Sequence, residues 1–169
     1  MEWIKTGHKQ RRYNLYISKC GKYFKKTCSV SSMSQKVFNM LKTEARALQL
    51  IQHDNLPKIQ RCVDVCINDV DGYIVSEYAG LNITYKTVPK DYDEQLKIID
   101  SSLKLMVDKY KLYHNDVLPR NCFVLNSALT LIDFDLSTVG KPSRRTKERP
   151  QFNTCQVIRE KINNRWKIK

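Results

Sequence analysis

Apolar positions alternate in short runs near the start of the chain. They then fall into two long helical stripes and return to short runs around residue 125. Residues 3–5 and 13–18 read as strands. Cys20-Gly21 turns the chain into a third strand at residues 22–28, where Lys25 and Lys26 must point to opposite faces. Val37, Leu41, Leu48 and Ile51 recur at helical spacing. Ser32 or Ser34 can cap that helix, and Pro57 stops it within His-Asp-Asn-Leu-Pro. Residues 61–67 and 73–76 form two more strands across a turn at 68–72. After a connection, Asp91 or Asp93 opens a long helix to Tyr113 whose inward stripe is Leu96, Ile99, Leu103, Met106 and Tyr110. Cys122–Leu125 and residues 129–132 make a hairpin about Asn126-Ser127. Ile158, Ile162 and Trp166 suit one face of a short terminal helix. The elements predict an α+β protein: a small antiparallel sheet with one helix over residues 1–80, a minimal helical part over 81–140, and a basic segment over 141–169.

Charge enlarges this picture. The chain of 169 residues carries 30 Lys plus Arg against 17 Asp plus Glu, a formal net charge of +13. Such a surface attracts anions: ATP, nucleic acid, an acidic protein or an anionic membrane face. Ten Lys or Arg and only two Glu lie in residues 141–169. The six cysteines contain no zinc-like C-x-x-C pair, so reduced, half-buried thiols are expected. Residues 1–10 hold no apolar run of the signal-peptide kind, and no stretch approaches the ~20 apolar residues of a membrane span. A cytoplasmic protein is expected, and a minimal Lys- and Asn-rich chain would suit a viral or phage genome.

Two local patterns carry chemistry. The predicted hairpin places Asn121 at its entrance and Asp133 at its exit, side by side. An amide oxygen and a carboxylate so placed suit a magnesium ion that keeps several waters. Asp116, five positions before Asn121, lies close enough to take a proton from a bound hydroxyl. Upstream, Glu44 shares the inward face of its helix with Leu41 and Leu48, so it needs a cation partner.

His114-Asn-Asp-x-x-x-x-Asn121 and Asp133-Phe-Asp resemble the H-R-D-x-x-x-x-N and D-F-G motifs of the protein-kinase-like superfamily. The resemblance covers residues 3 to about 137. It implies a bilobal fold, with a small antiparallel-sheet N-lobe and a truncated helical C-lobe, and a site for ATP and Mg2+. It implies Asp116 as the base, Asn121 and Asp133 as metal ligands, and a strand lysine that pairs Glu44 and grips phosphates. Lys25 fits the family offset of about nineteen from Glu44, with Lys26 as the rival. Glu77 to Ala79 would offer backbone groups to adenine, with Ser76 at the back of that pocket.

There are departures. The first loop has no G-x-G-x-x-G, and either Lys9, Arg11 and Arg12 supply charge there or the loop is merely solvated. Leu118 stands where many protein kinases place a phosphate-contacting lysine, and Arg120 compensates. Asp135 replaces the last glycine of D-F-G, as in small bacterial kinases that phosphorylate lipopolysaccharide-core sugars. No A-P-E motif follows.

These residues predict an ATP-dependent kinase acting on a hydroxyl, foremost a Ser, Thr or Tyr of a protein. A sugar kinase of the lipopolysaccharide type is the alternative. So is a kinase-like ATPase or a non-catalytic binding module, which would meet RNA or an acidic protein through the basic C-terminal segment. The small kinase of the tRNA threonylcarbamoyl-adenosine complex is similarly short.

Overall fold

Lys26 and Cys28 point inward from the third strand, and that parity sets how the first layer is built. The computed structural model describes residues 1–6, 13–31 and 34–166. Lys9, Arg11, Arg12 and Ser32 lie outside the described residues. The first layer holds β1 (Trp3–Lys5), β2 (Asn14–Ser18), β3 (Tyr23–Ser29), then helix α1 (Gln35–Ile51), β4 (Cys62–Ile67) and β5 (Asp71–Glu77). The five strands form one antiparallel sheet in the order β1-β2-β3-β5-β4. α1 connects β3 to β4 and covers one face with Phe38, Leu41, Ala45, Leu48 and Ile51, all buried. Ser34 sits at its N-cap without a side-chain hydrogen bond.

The second layer begins with β6 (Leu81–Asn82) and α2 (Tyr92–Tyr110). Lys111 takes a left-handed backbone (φ 52°) and returns its N–H to the Met106 and Val107 carbonyls. This αL cap ends the helix at Tyr110, the last residue of the apolar stripe and three short of the expected Tyr113. β7 (Leu112–Tyr113) follows, then β8 (Cys122–Leu125), β9 (Ala128–Leu131) and β10 (Thr138–Val139). β6, β8 and β9 form a three-stranded sheet, and β7 pairs with β10. Asn126 and Ser127 both have positive φ (49° and 61°), as a two-residue hairpin of right-handed twist requires.

The basic stretch after β10 is ordered by contacts. α3 (Arg144–Glu148) is capped by Ser143 Oγ, which accepts from Thr146 N–H at 3.2 Å. α4 (Gln156–Lys161) continues as a π turn over Ile162–Trp166. Phe152, Cys155, Ile158 and Ile162 are buried. Arg159 bonds Asp93 and Asp100 of α2 at 2.9 and 2.7 Å. One hydrophobic cluster runs from Tyr13 and Leu15 through α1 and α2 to Ile162, so the two layers share a core. All six cysteines are free. No helix among the described residues is long and apolar enough to cross a membrane.

Gly80 lets the β5–β6 connection approach β8. Its φ is +91°, and a Cβ there would lie 1.9 Å from the Val124 carbonyl oxygen. Gly140 shares the backbone angle (φ +89°) but would meet nothing within 4 Å. Gly140→Ala is therefore expected to cost about 1 kcal/mol, the strain alone. Gly80→Ala adds a backbone clash and is expected to cost more than ~3 kcal/mol. Urea unfolding of both variants checks this, and equal losses would contradict it.

Candidate active site

β3 brings Lys26 under α1, where Glu44 waits without exposure. Lys26 Nζ donates to Glu44 Oε2 at 2.6 Å and to Asp133 Oδ1 at 2.9 Å. Three elements distant in sequence thus meet on one ammonium. Burial alone would lower the Lys26 pKa, but Glu44 and Asp133 together raise it. For Asp133, burial works against the charge, yet Lys26 holds its carboxyl below the usual range. Burial pushes Glu44 upward against the pull of Lys26, and its Oε1 is buried with no hydrogen-bond partner. Tyr13 completes the wall: Lys26 Nζ sits 4.8 Å from its ring centre.

The lysine expected at this place was Lys25, and the structure puts it elsewhere. Lys25 Nζ lies 4.2 Å from the Tyr73 ring centre and 5.5 Å from that of Trp3, on the opposite face of the sheet. An offset counted from a motif does not fix strand parity. The neighbours do: Phe24 and Cys28 belong to the core side, and residues two apart share a face. Lys26 stands between them.

The loop before β8 holds the second group. Asp116 is buried; its Oδ2 accepts from Asn121 Nδ2 at 2.8 Å, and the same Nδ2 reaches the Asp116 carbonyl at 2.9 Å. Arg120 Nη2 bonds both Asp116 oxygens, at 2.8 and 2.6 Å. Asn121 therefore uses its amide protons on Asp116, which turns its amide oxygen away. The Asn121 carbonyl accepts from Ile132 N–H at 2.9 Å, extending the β8–β9 ladder by one pair. Asn121 and the Ile132-Asp133 backbone are therefore neighbours at the open end of the hairpin. A carboxylate and an amide oxygen are hard donors that fit Mg2+, which takes few protein ligands. Among the described residues no three His, Cys, Asp or Glu gather as a metal cluster.

Asp133 holds a left-handed backbone, φ 70°. The unusual conformation falls on this residue and not on Asp135, where the missing glycine had directed attention. Aspartate tolerates it better than most side chains. Gln60 stabilises it: its Oε1 accepts from Asp133 N–H at 3.0 Å and its Nε2 donates to Ser76 Oγ at 3.0 Å. A buried Gln60 thereby joins β5 to the D-F-D turn. Sequence reasoning missed it, because nothing around residue 60 marks it. Asn115 was missed too. Left-handed itself (φ 63°), it donates to the Leu136 carbonyl and Thr138 Oγ1 and accepts from Thr146 Oγ1 at 2.6 Å.

His114 is buried and packs on Phe134, ring centres 4.5 Å apart. Its Nδ1 accepts from Asp116 N–H at 3.3 Å, so Nε2 carries the proton and donates to the Ile132 carbonyl at 3.1 Å. Burial pushes its pKa below the ordinary value, so it stays neutral. The folded state then binds fewer protons than the unfolded one below about pH 6.5, and stability falls with pH there. His114→Gln is expected to flatten the fall in melting temperature between pH 7.5 and 5.5. A slope equal to the wild type's would contradict this role.

Glu77 and Tyr78 N–H groups are both committed, to the Arg61 carbonyl at 3.0 Å and the Lys22 carbonyl at 2.9 Å. Of the expected adenine-contacting segment, Ala79 is the residue whose amide makes no such bond among the described residues. A cavity of about 570 Å³ opens beside this segment and residues 52–62. It touches Gln60 but none of Lys26, Asp116, Asn121 or Asp133, so it is separate from the charged cluster.

Comparison by fold gives a clear likeness among many matching structures. The chain is similar to the crystal structure of monomeric WbdD. The TM-score is 0.60 at 16% identity, over 90% of this chain and 40% of that one. The chain thus spans well under half the length of WbdD, and at this identity the likeness is one of fold. No protein-family model matches the sequence, and no curated protein matches it.

Proposed function

We propose that the protein is an ATP-dependent phosphotransferase of the kinase-like kind, moving the γ-phosphoryl group to a hydroxyl. The single observation that carries this reading is Lys26 bridging Glu44 and Asp133, beside the Asp116–Asn121 pair. A structural ion pair needs one carboxylate; a second, partly exposed at 31%, is supported better as a ligand directed outward. The fold shared with WbdD is consistent with a kinase-like fold.

Phosphoryl transfer asks for positioning and charge neutralisation more than covalent work. Lys26, held by Glu44, binds phosphate oxygens. Asp133 and the Asn121 amide oxygen hold Mg2+, which neutralises charge on the phosphates when bound. Ala79 meets adenine through its backbone. Asp116 orients the acceptor hydroxyl and takes its proton, and Arg120 fixes the Asp116 carboxylate.

The test incubates the protein with labelled ATP, Mg2+ and mixed protein and sugar acceptors, beside Asp133→Ala. Label transfer that the variant loses is the expected result. ATP loss without transfer would point to an ATPase, and nucleotide binding without turnover to a binding module; either overturns the reading.

A further inference from the structure

The two oxygens of the Asp116 carboxylate face different surroundings. Oδ2 is filled by Asn121 Nδ2 and Arg120 Nη2, at 2.8 and 2.6 Å. Oδ1 accepts from Arg120 Nη2 at 2.8 Å and has Arg145 Nη1 at 3.7 Å. Oδ1 therefore keeps an acceptor position that Oδ2 has already used, and a hydroxyl bound there would lie next to Arg145. That arginine comes from α3, beyond the stretch that carries the kinase resemblance.

Arg145 is held there by packing rather than by the carboxylate. At 3.7 Å the contact with Asp116 is too long for a hydrogen bond, so its N–H donors are not used on it. Its guanidinium lies 4.3 Å from the centre of the buried Phe152 ring, and Arg149 lies 5.8 Å from the same ring. The Phe152 carbonyl accepts from Val117 N–H at 3.0 Å, one residue past Asp116. Asn115, on the other side of Asp116, accepts from Thr146 at 2.6 Å. The catalytic loop and α3 are thus tied on both flanks of the carboxylate. Asp116 faces two guanidiniums that are 60% and 48% exposed, and Arg120 also acts on Asp133. A planar fork with free donors, fixed by an aromatic face, suits phosphate or carboxylate.

We propose that Arg120 and Arg145 form an anion subsite on the acceptor side of Asp116, and that the acceptor carries a phosphate or carboxylate close to its reacting hydroxyl. This rests on the phosphotransferase reading. In the step it serves, the hydroxyl oxygen bonds to the γ-phosphorus and its proton passes to Asp116 Oδ1. The bond from that phosphorus to the β–γ bridging oxygen breaks, and ADP leaves with the electron pair. Arg145 is a specificity residue that anchors the neighbouring anion.

The probe is inorganic phosphate, titrated into protein saturated with Mg2+ and a non-hydrolysable ATP analogue, so that the γ-phosphate position is filled. Arginine Nε–H chemical shifts report binding. Saturable binding is expected, weakened at least about tenfold in Arg145→Gln and less in Arg145→Lys. Failure to saturate, or equal binding by wild type and Arg145→Gln, overturns the subsite. If melting shows that Arg145→Gln has lost its fold, Arg145→Lys decides, since its stem can still cover Phe152: wild-type binding there counts against the fork, weaker binding for it. Calorimetry of the analogue is a separate readout. If the analogue does not bind while phosphate still binds the bare protein and needs Arg145, the kinase reading fails and the anion subsite stands.

Discussion

Lys26→Met is expected to abolish phosphoryl transfer, while Lys25→Met keeps most of it. The two lysines are adjacent, carry the same charge and lie on the same strand, so the pair separates position from charge. Lys26 bonds Glu44 at 2.6 Å and Asp133 at 2.9 Å; Lys25 lies over aromatic rings on the far face. Removing Lys26 leaves two carboxylates facing one another with no cation between them. Breaking a buried pair in this way costs about 3–5 kcal/mol. The Lys25–aromatic contacts, at a half-exposed site, are worth about 0.5–1 kcal/mol. The stability loss in Lys26→Met also has a sign with pH. Without its partner Glu44 holds a proton more tightly when folded than when unfolded, so the variant recovers stability as pH falls. Urea unfolding at pH 6 and pH 8, with transfer assays on both variants, checks each part. Transfer lost equally in both variants would mean that surface charge, not the buried triad, matters.

That contrast also marks how far the sequence could be read. Periodicity placed Glu44 inward, and its burial follows because helical residues three and four apart share a face. The β8–β9 hairpin was legible because two short apolar runs flank a two-residue turn that can take positive φ. The family offset points to Lys25, but Phe24 and Cys28 face the core and strand parity puts Lys26 between them. The groups that remained unseen act over long separations. Gln60 meets Asp133 across 73 positions, and Asn115 meets Thr146 across 31. Neither partner leaves a local periodicity, so no window along the chain contains both. The same applies to α3: residues 141–149 look like solvated charge until Asn115 and Phe152 are seen to bind them. Short basic segments have little apolar surface of their own, and here the order comes from polar bonds made to another part of the chain.

Asp116→Asn should keep Mg–nucleotide binding and lose about 10²–10⁴-fold in transfer, the contribution typical of a positioned base. The substitution preserves shape, since an amide replaces a carboxylate of the same size. It changes two things. The side chain can no longer accept the hydroxyl proton. It also turns a charged acceptor of the Arg120 and Asn121 bonds into a neutral one, so those bonds weaken without the site emptying. Lys26, Glu44 and Asp133 make no hydrogen bond to Asp116 and remain as they are, so nucleotide affinity should stay within about threefold, well under the ~1.4 kcal/mol that a tenfold change requires. Asp133→Ala is the converse: it removes the proposed metal ligand and should lose metal-dependent nucleotide binding together with transfer. A fluorescent nucleotide titration with and without Mg2+, run beside single-turnover transfer, separates the two variants. Should Asp116→Asn transfer at the wild-type rate, the proton would be leaving by another route, and Asp116 would be a partner for Arg120 and no more.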